Sequence, residues 1–132
     1  DALVLDKWFR IQATSRRENV LDDVENLMKH EKFSYRTPNR VRALVGGFSQ
    51  GNFLRFHHED GRGYQWLASQ IKALDNSNPQ VAARLLTPLV RWQQFAEPFQ
   101  SKMYQALKQI FNTSELSKDV FEIVSKSLGE SP

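Results

Sequence analysis

Three histidines are the first residues to test for chemistry. His30-Glu31 opens like the zinc-protease motif His-Glu-x-x-His, but position 34 is Ser34, so the second ligand is missing. His57-His58-Glu59-Asp60 places two imidazoles and two carboxylates in consecutive positions. Adjacent side chains on one element point in different directions and do not converge on one tetrahedral ion. The expected role of this cluster is therefore structural: Asp60 caps the helix that follows, and one histidine packs or bonds within the loop. Nucleophilic catalysis needs a base and an orienting acid beside a Ser or Cys. Gly47-Phe48-Ser49-Gln50-Gly51 has the Gly-x-Ser-x-Gly spacing but falls late in a helical pattern rather than at a strand-to-helix elbow, and the chain has no cysteine. Gly46-Gly47 and Gly61-x-Gly63 make no phosphate-binding fingerprint, because the first falls late in a helical pattern rather than after a strand. These glycines are expected to permit a tight turn or a close helix contact. By itself the chain does not read as an enzyme.

Two arginine-bearing helix starts remain. Thr37-Pro38-Asn39-Arg40-Val41-Arg42 and Asn78-Pro79-Gln80-Val81-Ala82-Ala83-Arg84 each read as an N-cap residue, a proline at the first helical position, then a helix. Both place arginines within about two turns of the positive end of the helix dipole, where a cation is disfavoured by roughly 0.3–1 kcal/mol. A chain that does this twice is expected to aim those arginines at an anionic partner. Ordinary surface arginines are the alternative.

Apolar residues recur at helical spacing almost throughout, with no convincing run of period-two alternation. The pattern predicts an all-α chain of about seven antiparallel helices. The first covers residues 2–13, with Leu5, Trp8, Phe9 and Ile11 to Gln12 near its core face. The second covers 19–30, from Asn19, with Val20, Val24, Leu27 and Met28 on one stripe. The third starts at Thr37 and is weakened by Gly46-Gly47 and Gly51, and 49–60 reads as an ordered loop. A fourth helix is predicted over 61–74, and a fifth begins at Asn78 with a kink at Pro88. A sixth spans 98–111, and a last runs from Ser117 to a stop at Gly129. The aromatic residues fall mostly on core stripes or loop anchors, which favours packing over base stacking. The two cap-proline starts, at 37 and 78, lie 41 residues apart, near the period of HEAT-like repeats. The expected architecture is a HEAT/armadillo-like curved superhelix of stacked helices.

Bulk properties restrict the partners. The 132 residues suit a single domain, and the net charge of +3 is spread rather than blocked, since Arg16-Arg17 runs straight into Glu18. A nucleic-acid binder would carry a denser basic stripe, so no nucleic-acid partner is expected. No apolar run approaches the ~18 residues of a membrane span, and no signal peptide opens the chain. The absence of cysteine fits a reducing, cytoplasmic setting. Asp1 enters helical periodicity at once, as a piece of something longer would.

Four blocks carry a family resemblance: Asp6-Lys7-Trp8-Phe9-x-x-Gln12-Ala13, Pro38-Asn39-Arg40-Val41-Arg42, Phe56-His57-x-Glu59-Asp60-Gly61-x-Gly63-Tyr64, and Asn78-Pro79-Gln80-Val81-Ala82-x-Arg84-Leu85. In order and spacing they resemble the C-terminal helical domain of bacterial aminopeptidase N, a zinc-dependent alanyl aminopeptidase of the gluzincin type. The resemblance covers nearly the whole chain, departing at Thr37, where the family pattern has Asn. It implies that residues 1–132 are one helical domain, a C-terminal fragment of a larger metalloaminopeptidase. Such a parent holds zinc through His-Glu-x-x-His and a downstream Glu, and binds the substrate amino terminus through Gly-x-Met-Glu-Asn. None of these motifs occurs in this chain, so no cofactor is expected here and the zinc belongs to the absent catalytic domain. The resemblance further implies a domain that closes a cavity over the catalytic domain and restricts entry to peptides and unfolded ends. Carried over by position, Arg42 and Arg84 match arginines of the cavity wall and Gln80 matches a cavity-facing glutamine, all three as substrate-binding residues with no catalytic role. The expected partners are the parent's catalytic domain and peptide substrates. A free-standing HEAT-like module that binds proteins or peptides is the alternative.

Overall fold

The computed structural model describes residues 1–129, and among the described residues the secondary structure is entirely helical. The chain forms two compact units, Asp1–Phe56 and the residues from His57 onward.

In the first unit, α1 (Ala2–Ala13) starts where Asp1 Oδ1 accepts the Leu3 and Val4 amide protons at 2.8 and 3.1 Å. α2 (Val20–Leu27) follows Asn19, whose side chain makes no capping bond. A longer rod then combines α3 (Pro38–Val41), a π-helical segment (Arg42–Gly46) and α4 (Gly47–Gly51). Gly47 permits the close helix contact expected of the glycine pair, since a Cβ there would lie 3.2 Å from the Ala13 Cβ. Phe9, Ala13, Val20, Val24, Val41, Leu44, Val45 and Phe48 form the buried core.

The loop expected over 49–60 is largely helical instead. Helix persists through Gly51, breaks at Asn52, and resumes as the single turn α5 (Phe53–Phe56). Tertiary contacts hold it: Phe56 is buried edge-on to Phe48. The buried Asn52 amide also donates to the carbonyls of Ala13 and Ser15 at 3.0 and 2.7 Å. Those bonds satisfy carbonyls that the end of α1 leaves open.

The second unit begins with α6 (Arg62–Asp75), entered through Gly61 at φ +73°. A side chain at Gly61 would be strained by that φ and would press a Cβ to 2.8 Å from Lys102 Cδ. Asp60 serves this start one residue earlier than an N-cap, accepting the Arg62 amide proton at 2.9 Å. α7 (Pro79–Arg84) is capped as its sequence predicts, Asn78 Oδ1 accepting from Val81 N at 3.2 Å. The expected kink at Pro88 is a full interruption at Leu85-Leu86. α8 (Thr87–Val90) then restarts with Pro88 in its first turn, where proline's missing N–H costs nothing. A 3₁₀ turn (Trp92–Gln94), α9 (Phe99–Phe111) and α10 (Lys118–Leu128) complete the unit, and Gly129 ends α10 in the left-handed conformation. α6 packs on α7 and α9, and α10 on α9 and α7, around Tyr64, Leu67, Ile71, Leu74, Met103, Leu107 and Ile110. Buried Asp75 ties α6 to α10 by accepting from Ser117 N and Oγ at 2.7 and 2.5 Å.

Candidate functional site

Gln80 and Arg84 are brought together. They sit four residues apart on α7, both exposed, while Val81, Ala82 and Leu85 turn inward. That i, i+4 spacing stacks an amide and a guanidinium on one side of the helix. Together they offer a row of N–H donors suited to carbonyl or carboxylate oxygens. Arg42 belongs to the other compact unit. It is exposed at the start of the π segment, and its Nη1 donates to Asn39 Oδ1 at 3.0 Å. Its carbonyl accepts a long bond, 3.4 Å, from Arg10 Nη2.

The dipole argument drawn from the sequence does not survive for Arg84. α7 ends at Arg84, so this cation lies in the last turn, at the end of the helix that favours positive charge. Its placement is electrostatically ordinary. Arg40, two residues before Arg42, has a structural task that its spacing did not reveal. Its Nε donates to Asp6 Oδ1 at 3.1 Å with both side chains mostly buried, and its Nη1 donates to the Lys32 carbonyl at 2.8 Å.

The histidine cluster separates as its spacing requires. His57 stacks on Phe95, with ring centroids 4.8 Å apart, and its Nδ1 lies 2.7 Å from the Tyr64 hydroxyl. Burial lowers the His57 pKa to about 4 and raises that of the Tyr64 phenol to about 12. At neutral pH both groups are therefore uncharged, and they form a neutral hydrogen bond whose donor is set by the histidine tautomer. His58 is exposed and turns to Asp60, its Nδ1 being 3.2 Å from Asp60 Oδ1. The hydrogen bond from the Arg62 amide holds the Asp60 carboxyl below its usual pKa, partly opposed by burial and aided by the charge of His58. His30 packs between Trp8 and Phe9, its Nδ1 accepting from Lys32 N at 3.0 Å.

The core face of α1 differs from the expectation. Phe9 and Ala13 are buried, whereas Trp8 is partly exposed and Ile11 is strongly exposed, beside Leu3 and Val4. Leu5 lines an open groove of about 580 Å³ with Val4, Trp8, Lys32 and Arg40. The sequence carried a signal for this. Leu3, Val4, Leu5, Trp8, Phe9 and Ile11 go all round the helix, which a single core-facing stripe does not require.

With this geometry in hand, comparison with known proteins fixes the family. Residues 1–129 match the family described as "Domain of unknown function (DUF3458_C) ARM repeats". The chain belongs to this ARM-repeat family. It is 45% identical over 128 residues to aminopeptidase N of Haemophilus influenzae and 44% identical over 128 residues to aminopeptidase N of Escherichia coli, each alignment covering 97% of this chain. Both alignments take in 15% of the relative, so the chain spans about one-seventh of the length of these proteins. Among solved structures it is similar to Legionella pneumophila aminopeptidase A in complex with aspartic acid, with a TM-score of 0.88 and 36% identity, covering 95% of this chain and 14% of that one. The resemblance to the C-terminal helical region of aminopeptidase N and the helical-repeat fold class are both borne out.

The residues present do not fit the zinc that the resemblance assigns to a parent enzyme. Among the described residues no three His, Cys, Asp or Glu side chains are grouped to hold a metal ion. His57, the more enclosed member of the loop pair, has its Nδ1 against the Tyr64 hydroxyl. No helix among the described residues is long and apolar enough to cross a membrane.

Proposed function

We infer that this chain is a single non-catalytic, C-terminal helical domain of a zinc-dependent aminopeptidase N, a cytoplasmic enzyme that removes N-terminal residues from peptides. The observation that carries this reading is the identity of 45% across 97% of the chain to a protein of which the chain is only 15%. In this reading the domain covers the active-site cavity, restricts access to extended peptide ends, and lends Arg42, Arg84 and Gln80 to the cavity wall. The exposure of Gln80 and Arg84 four residues apart on α7 supports the last point. Arg84 can grip a peptide carboxylate in bidentate fashion, and Gln80 beside it can donate to a carbonyl. Zinc and the catalytic carboxylate reside in the parent's other domains, and the direct partners are the catalytic domain and the peptide.

Steady-state kinetics of the full-length enzyme tests the assignment. Arg84→Ala should raise KM for longer peptides by about tenfold or more, the size of a lost charged hydrogen bond, while a single-residue aminoacyl amide is affected far less. Equal effects on both substrate classes would remove Arg84 from peptide recognition. The native size of the protein that carries this chain tests the broader reading. A species no larger than the chain itself would return the function to a free-standing interaction module.

A further inference from the structure

Arg40 and Arg42 follow Pro38 at the same helix start, yet the first unit treats their guanidinium groups differently. Arg40 is used up internally. Its Nε donates to Asp6 Oδ1 at 3.1 Å and its Nη1 to the Lys32 carbonyl at 2.8 Å, and Asp6 neutralises its charge. Arg42 is exposed, and its guanidinium makes one bond, from Nη1 to Asn39 Oδ1 at 3.0 Å. Among the described residues nothing accepts from its Nε or Nη2, and no carboxylate pairs with it. Asn39 and Arg42 stand i, i+3, one helical turn apart, which sets their side chains on a shared face.

The backbone beneath Arg42 is held as well. Its carbonyl accepts the Gly47 amide, the i+5 bond of a π segment, and the long bond from Arg10 Nη2. What remains to be fixed is the side chain. A free arginine samples many rotamers, and freezing them when a ligand arrives weakens binding. Asn39 holds Nη1 beforehand. The bond leaves open the Nε–Nη2 edge, the pair of parallel donors that suits carboxylate or carbonyl oxygens. Because the acceptor is a neutral amide, the guanidinium keeps its full charge for the ligand, unlike Arg40 beside Asp6.

We propose that Asn39 is a positioning residue for peptide recognition, orienting Arg42 so that its Nε–Nη2 edge meets oxygens of the peptide. Asn39 acts through Arg42 alone. This inference rests on the reading that Arg42 belongs to the peptide-binding wall of an aminopeptidase N.

Steady-state kinetics of the full-length parent tests it, with an oligopeptide and a single-residue aminoacyl amide as substrates. Arg42→Ala should raise KM for the oligopeptide by about tenfold, the size of a lost charged hydrogen bond. Asn39→Ala should raise it by about threefold with kcat unchanged, and should leave both constants for the aminoacyl amide as in the wild type. In the Arg42→Ala background the same substitution should add nothing, because the group it holds is gone. Both side chains are exposed, so the variants should melt with the wild type. An oligopeptide KM that Arg42→Ala raises and Asn39→Ala leaves unchanged would overturn the proposal while the reading of Arg42 stands. An equal rise with and without Arg42 would also overturn it, by giving Asn39 a route of its own. A fall in kcat for both substrates would mark Asn39 as merely structural, with the same result. If Arg42→Ala itself leaves the oligopeptide KM unchanged, the wall reading of Arg42 fails and the proposal falls with it.

Discussion

The two compact units solve the same problem, burying helices, to different degrees. Among the described residues every exposed large apolar side chain lies in the first unit: Leu3, Val4, Trp8 and Ile11 on α1, and Phe53 and Leu54 on α5. The second unit exposes none. It closes its own core and joins its helices by buried polar bonds, with Asp75 holding Ser117 and the Trp92 indole donating to the Ser127 carbonyl at 3.1 Å. The contrast places the exposed large apolar side chains of the described residues in one unit. Scattered exposed apolar residues are normal on any surface, but a set confined to one unit, four on α1 and two on α5, is not an even scatter.

The largest effect that can break this contrast comes from two neighbouring residues of α1. Phe9→Ala removes a fully buried ring and should cost about 3–5 kcal/mol of stability. Trp8→Ala removes a larger side chain, yet in this chain it should cost only about 2–3 kcal/mol, because Trp8 is 39% exposed. Urea unfolding of the two variants measures both numbers. A Trp8 penalty that climbs toward that of Phe9 in the full-length parent would show that the ring is covered there. Equal penalties in the chain alone would mean that the outer side of α1 is already engaged.

A smaller effect separates the units by pH. His57 lies in the second unit with its pKa lowered to about 4 by burial, against 6.5 for an ordinary histidine. The unfolded chain therefore binds a proton more readily than the folded one between these values. The stability contributed by neutral His57 is complete above pH 6.5, declines as pH falls toward 4, and is fully lost below it. His57→Gln should flatten the Tm profile between pH 6.5 and 4. A decline that persists unchanged in the variant would assign the acid sensitivity to other groups.

What the sequence disclosed and what it withheld divide along the range of the interactions. The start of α7 at Asn78, the start of α10 at Ser117 and its stop at Gly129 were legible, because a cap and the helix it begins or ends are neighbours in sequence. The helical course of residues 49–56 was not. It depends on Asn52 reaching the carbonyls of Ala13 and Ser15, a contact that local pattern cannot contain. The bond from Ser117 to Asp75 was hidden for the same reason. The core side of α1 was misjudged because its apolar residues surround the helix, and periodicity cannot choose between two apolar sides. Of the candidate site, the pairing of Gln80 with Arg84 follows from spacing alone. The dipole reading of Arg84 failed because Leu85 and Leu86 end α7 sooner than the sequence pattern predicts.

The smallest effect sets one helix start of each unit against the other. Thr37-Pro38 and Asn78-Pro79 carry the same signature, but only Asn78 uses its side chain, accepting from Val81 N at 3.2 Å. Thr37 makes no side-chain cap bond, and the rod it begins turns π-helical within five residues of it. Asn78→Ala should therefore destabilise the protein by about 1 kcal/mol, the usual worth of a cap, and Thr37→Ala by no more than a few tenths. Thr37→Asn, which makes the two starts alike in their first residue, should recover part of that difference if the longer side chain reaches the first turn. Chemical denaturation of the three variants decides the matter. Equal losses for the two alanine variants would show that the Thr37 hydroxyl caps in solution, and the two starts would then be equivalent in energy as well as in sequence.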